Sequence, residues 1–168
     1  MKDRPLRVVL SAPFTQWMDP DIGRVSEEWR QRLDFLRCRL IWHGALVFNA
    51  HHNEDWGVGW LPPAECTPAD FVAVQEADVM CAIVGAPASG GVLMELGWAS
   101  AFGKPVVLVL SPNVTYTPLI HGLGEVTDVE SVPEPETWST TELSDLAQQV
   151  VKMGERHQGK GEAEHVRR

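Results

Sequence analysis

Apolar positions along this chain come in two kinds of pattern. Four short, continuous runs are bounded by polar or small residues: "LRVVLS" (Leu6 to Ser11), "ALVFNA" (Ala45 to Ala50), "DVMCAIV" (Asp78 to Val84) and "PVVLVLS" (Pro105 to Ser111). They do not alternate and they are rich in β-branched residues, which predicts strands buried on both faces. Between them the spacing becomes helical. In "SEEWRQRLDFLRCRLIWHG", Trp29, Leu33, Leu36, Leu40 and Ile41 form one stripe, with Ser26 as N-cap, acids in the first turn and Gly44 as the stop. Further helices are predicted from Thr67 (N-cap) and Pro68 to about Glu76, from about Val92 to Phe102, and from Ser139 to Met153.

Strand and helix alternate, which predicts an α/β fold. The expectation is a doubly wound, Rossmann or flavodoxin-like sandwich with a mostly parallel sheet of about five strands. One domain is expected over residues 1–153, with the charged, glycine-containing stretch 154–168 as a flexible tail. From Pro112 onward the chain reads as loop-rich, with "ESVPEPETW" as a turn-prone connector. In such folds ligands bind outside the carboxyl ends of the strands. The expected site therefore lies among the loops "SAPFTQWMDP", "NAHHNEDWG" and "GAPASGG".

Composition narrows the chemistry. The net charge of −9 and the lack of a basic stripe argue against a nucleic-acid binder. They still allow a small phosphorylated ligand, which backbone amides and hydroxyls hold without net positive charge. Cys38, Cys66 and Cys81 lack metal-ligand or disulfide spacing, so reduced thiols, a cytoplasmic location and no metal or cofactor are expected. No apolar run reaches the ~18 residues of a membrane span, and no leader pattern opens the sequence. Seven Trp against one Tyr point either to core filling or to aromatic walls around a ligand.

The third loop leads into "GGVLMELGWAS", where Glu95 stands among Leu93, Met94, Leu96 and Trp98. A carboxylate on an otherwise apolar helix start is suited to act as nucleophile, general base or hydroxyl clamp. Ser89, Gly90 and Gly91 just before it form either a phosphate-holding turn or an ordinary βα turn. Asp70 and Asp78 are candidate second carboxylates, since glycosidic bonds are broken by carboxylates working in pairs. Asp70 alone also fits a solvated helix acid, and Asp78 a helix-to-strand junction.

The run "ADVMCAIVGAPASGGVLMELGWASAFGKPVVLVLS" resembles the nucleoside 2-deoxyribosyltransferase-like family. With "SAPFTQ" and "FNAHHNEDWG" it is most similar to the nucleotide N-glycosidases of peptidyl-nucleoside antibiotic pathways. The resemblance implies hydrolysis of a pyrimidine 5′-monophosphate to free base and ribose 5-phosphate. Under it, Glu95 matches the nucleophile and Asp70 the second catalytic carboxylate. Ser89, Gly90 and Gly91 match the 5′-phosphate loop, Phe14 packs against the base, and Asn49 and His51 lie beside it. Thr15 stands where hydroxymethyl-preferring members carry an arginine, which points to plain CMP. It also implies a homodimer in which Thr117, in "YTPLIHG", reaches the neighbouring subunit's phosphate. Base transfer, purine monophosphate hydrolysis and nucleotide sensing without turnover are the alternatives.

Overall fold

The continuous apolar runs become four neighbouring strands of one parallel sheet in the computed structural model, which describes residues 4–165. In chain order the elements are β1 (Arg7–Ser11), β2 (Met18–Asp19), β3 (Arg24–Val25), α1 (Glu27–Trp42), β4 (Leu46–Phe48), α2 (Ala50–Asn53) and α3 (Pro63–Glu76). β5 (Val79–Ile83), α4 (Gly90–Ala101), β6 (Val106–Leu110), α5 (Pro118–His121), β7 (Val129–Pro133) and α6 (Thr140–His165) follow. The sheet order is β4-β1-β5-β6-β7, with every neighbouring pair parallel. This is a flavodoxin-like α/β sandwich, as expected.

The two-residue period of the strands divides their side chains between two cores. Val8, Leu10, Val79, Cys81 and Ile83 face α1 and α6, packing with Leu33, Leu36, Leu40, Leu143 and Val150. Val9, Met80 and Ala82 face α3 and α4, packing with Val74, Val92, Leu96 and Ala99. Burial on both faces is why these strands carry no polar alternation. Among the described residues no helix is long and apolar enough to cross a membrane.

Several boundaries differ from the sequence reading, each for a local reason. The second strand ends at Phe48 because the Asn49 side chain accepts the His52 amide and caps α2. α3 begins at Pro63, four residues before the expected N-cap Thr67, and encloses Pro68. The fifth strand, β7, comes from the stretch read as a connector. It lies at the sheet edge, is only partly buried, and so has no apolar run to announce it.

The last helix was expected to stop at Met153, with a flexible tail after it. It runs instead to His165. Gly154 does not end it; this glycine packs so closely that a Cβ there would lie 2.6 Å from Leu6 Cδ1. Beyond it Arg156 donates to Glu130 at 3.1 Å and Gln158 to Asp78 at 3.0 Å. The part of the expected tail beyond His165 lies outside the described residues. Asp78 also receives Arg4 Nη1 at 2.7 Å and the Arg7 amide at 2.8 Å. It therefore pins the amino end of β5 and stands at the end of the sheet opposite the expected site, which removes it as a second carboxylate.

Candidate active site

Chain direction across the sheet reverses at β1, with β4 on one side and β5 on the other. Such a switch point opens a crevice outside the carboxyl ends of the strands. A cleft of about 290 Å³ lies there, and Ser11, Phe14, His51, Asp70, Ser89 and Glu95 are among its walls. A larger hollow of about 760 Å³ lies between β7 and α6, but its Glu142 is occupied in capping α6 through Ser139 and Thr137.

Ser11 is the last residue of β1 and is 4% exposed. Its hydroxyl donates to Glu95 Oε2. Glu95 is the sixth residue of α4, facing back over the strand ends. Burial pushes its carboxyl up to about 7, against the pull of the Ser11 hydroxyl, and the charge of Asp70 adds to the rise. Asp70, on α3, is raised to about 6 by burial and then by the charge of Glu54. The two carboxyls, from separate helices, thus titrate well above the usual carboxylate range, Glu95 higher than Asp70.

At the other end the cleft is aromatic. His51 stacks on Phe14 with ring centres 4.2 Å apart and planes within 10°. Trp60 covers Phe14 at 4.6 Å. The His51 Nε2–H donates to the Pro13 carbonyl at 3.0 Å, and burial lowers its pKa to about 4, so the ring is neutral. Neutral His51 is an aromatic backing for Phe14, not a cation.

The third wall is the start of α4. Ser89 and Gly91 line the cleft, where the first helical amides have no partner within the helix. The turn before them is held from three sides. Gly85 has φ +82° and leaves no room for a side chain, since a Cβ would lie 2.5 Å from Pro13 Cγ. Tyr116, the single tyrosine of the chain, donates its hydroxyl to the Gly85 carbonyl at 2.9 Å and accepts the Ser111 amide at 3.1 Å. Gln16 donates to the Pro87 carbonyl at 3.0 Å.

Of the residues singled out from sequence, Glu95, Asp70, Phe14, Thr15, His51, Ser89 and Gly91 share this cleft, with Thr15 at its exposed rim. Three do not line it. Gly90 opens α4 beside it. Asn49 is buried behind the wall, its amide nitrogen on the Leu10 carbonyl at 2.9 Å and its oxygen on the His52 amide. Thr117 is exposed at the start of α5 and does not reach its own chain's cleft. Sequence reasoning passed over Ser11, Glu54 and Trp60. Ser11 had a signal, as a hydroxyl closing a largely apolar strand run, one that Ser111 shares.

No family model and no curated protein sequence matches the chain. Solved structures do, two of them as follows. The structure of Clostridium botulinum CMP N-glycosidase, BcmB, is 30% identical with a TM-score of 0.61, over 82% of this chain and 97% of that one. The solution structure of BlsM is 36% identical with a TM-score of 0.70, over 89% of this chain and 94% of that one. Fold, site and likeness together define an N-glycosyl hydrolase. The chain belongs to the CMP N-glycosidase-like family that these two structures represent.

Proposed function

We propose that the chain hydrolyses the base–ribose bond of a pyrimidine 5′-monophosphate, CMP above all, to free base and ribose 5-phosphate. The observation that carries this reading is the pair Glu95 and Asp70, two proton-holding carboxyls from different helices facing one cleft. The aromatic end suits a flat base and the α4 start suits a phosphate, so the pair falls beside the ribose between them. The name CMP N-glycosidase, borne by BcmB, supports the choice of substrate. Thr15 at the rim offers no cation to a 5-substituent, which supports unmodified cytosine.

In the proposed mechanism ionised Glu95 attacks the anomeric carbon and forms an ester bond to it. The pair of the breaking N-glycosidic bond leaves with the base, which takes the proton of Asp70. Water then attacks the same carbon, gives its proton to the Asp70 carboxylate, and releases Glu95. The phosphate grip acts away from the reacting bond and supplies positioning. Ser11 steadies the Glu95 anion. Ser11→Ala is expected to slow base release by roughly tenfold and to move the acid limb of the pH–rate profile upward, since a charge-assisted hydrogen bond is lost. Initial rates from pH 5 to 9 check this.

The chain is further proposed to act as a homodimer, with Thr117 completing the cleft of a second copy. Met94 beside the cleft is 57% exposed and Leu119 next to Thr117 is 81% exposed, surfaces that a partner would cover. Sedimentation equilibrium tests the dimer. Chromatographic product analysis tests the reaction, using CMP, dCMP, UMP, AMP, GMP and cytidine beside a Glu95→Ala control. Free cytosine from CMP, none from cytidine and none in the control is the expected result. Tight nucleotide binding with no base released would overturn hydrolysis in favour of a sensor, and base release only with an added acceptor base would favour transfer.

A further inference from the structure

Tyr116 is buried, does not line the cleft and has no part in the mechanism above. Its ring belongs to the core that also holds Val84, Val92 and Ile120. Its hydroxyl, however, spans two loops. The Gly85 carbonyl can only accept and the Ser111 amide can only donate. The Tyr116 proton therefore points to Gly85, at 2.9 Å, and its oxygen takes the Ser111 amide, at 3.1 Å. Ser111 is itself fixed. Its hydroxyl donates to Glu134, whose own amide donates to the Leu110 carbonyl at 2.8 Å. A line of hydrogen bonds thus runs from the residue after β7 through Ser111 and Tyr116 to Gly85.

The position of Gly85 explains why it needs this hold. It opens the turn from β5 into α4, at a φ of +82° that glycine adopts without strain. The same freedom lets its peptide plane turn unless something fixes it. Pro13 closes one side of Gly85, and the Tyr116 hydroxyl holds the carbonyl. At its far end the turn is closed by the Ser89 amide on the Val84 carbonyl at 2.9 Å. Gly85 to Ser89 thereby set where Gly90, Gly91 and Val92 present the first amides of α4. Hydrogen bonds weaken steeply when misaligned, so amides that converge on one anion must be held in register.

We infer that Tyr116 is a positioning residue: its hydroxyl, braced on Ser111, sets the Gly85 turn and so the α4 amides that receive the substrate's phosphate. This rests on the reading above, in which the start of α4 takes the 5′-phosphate. Tyr116 does not touch the nucleotide, and no bond to it changes. It acts only through the turn, so its effect is confined to ligands that carry a phosphate.

The test compares Tyr116→Phe, which keeps the ring in its core and removes only the hydroxyl, with the unaltered full chain. Calorimetric titration with ribose 5-phosphate and with cytidine separates the two halves of the substrate. Tyr116→Phe is expected to bind ribose 5-phosphate roughly tenfold more weakly, the scale of a lost buried hydrogen bond, and cytidine as before. With CMP its KM rises by a similar factor while kcat changes less. Val150→Ala, in the core on the other face of the sheet, is the control: it loses thermal stability and keeps its affinity for ribose 5-phosphate. A second readout leaves the sequence intact. Tyr116 is the single tyrosine, so 3-fluorotyrosine supplied during expression labels it alone. Its fluorine NMR signal is expected to move with ribose 5-phosphate and not with cytidine. An unchanged affinity for ribose 5-phosphate, an equal loss for cytidine, or an unmoved fluorine signal overturns the inference and leaves Tyr116 as core packing. Unaltered protein that binds no ribose 5-phosphate sinks the phosphate reading and the inference with it. Binding without base release sinks hydrolysis alone.

Discussion

Glu95→Gln is expected to abolish base release, by at least about three orders of magnitude, while making the fold more stable above neutral pH. The loss follows from the proposed role, because an amide cannot form the ester to the anomeric carbon. The gain follows from burial. The Glu95 carboxyl is raised from 4.5 to about 7, so the folded chain holds a proton that the unfolded chain has already released. Its burden on stability is absent below about 4.5, grows as pH rises through the window to about 7, and is fully present above it. That burden is on the order of 3 kcal/mol, the free energy of the shift from 4.5 to about 7. Glutamine buries no charge and still offers an oxygen to the Ser11 hydroxyl. Differential scanning calorimetry is therefore expected to give similar melting temperatures for the two proteins at pH 5 and a higher one for Glu95→Gln at pH 8. Retained activity would show that Glu95 is not the nucleophile, and a variant less stable at both pH values would show that its site does not burden the fold.

That one residue is both the candidate nucleophile and a destabilising group explains why sequence made it visible. An acid among Leu93, Met94 and Leu96 violates the helix pattern, and the violation is the signal. The same logic exposed β5 and β6, whose two-sided burial leaves an uninterrupted apolar run, and α1, whose stripe faces α6. Elements whose partners lie far along the chain were not legible. β7 exists because β6 offers it an edge, and α6 continues past Met153 because Leu6 and Val79 receive Gly154. Glu54 was hidden in "HHNEDWG", where an acid among polar residues reads as solvated loop. Its burial depends on a left-handed turn at Asp55 and Trp56, and a bulky tryptophan does not announce positive φ in sequence. Asp70 and Asp78 looked alike as acids flanking one strand start; only the sheet's direction separates the cleft end from the Arg4 end.

Asp70→Asn is expected to lower kcat by about 10²- to 10⁴-fold, the usual range for a lost general acid, with KM for CMP little changed. The size of the loss is expected to depend on the leaving group. A cytosine with an electron-withdrawing 5-fluoro group departs more readily without a proton, so the variant loses less on that nucleotide, whereas Glu95→Gln loses activity on both. The pH profile separates the roles further. Attack needs Glu95 ionised and departure needs Asp70 protonated, so the wild-type rate is a bell. Its two limbs belong to the coupled pair, raised to about 6 at Asp70 and about 7 at Glu95, so the reactive arrangement, with the proton on Asp70, is the minor form of the singly protonated pair. Asparagine has no proton to lose, so the alkaline limb is expected to disappear while the acid limb of Glu95 remains. Removing the Asp70 charge also relieves one cause of the Glu95 rise, which lowers the Glu95 midpoint itself. An equal loss on the fluorinated and plain nucleotides, with the alkaline limb intact, would instead assign Asp70 to the ribose hydroxyls and leave water or the base itself to supply the proton.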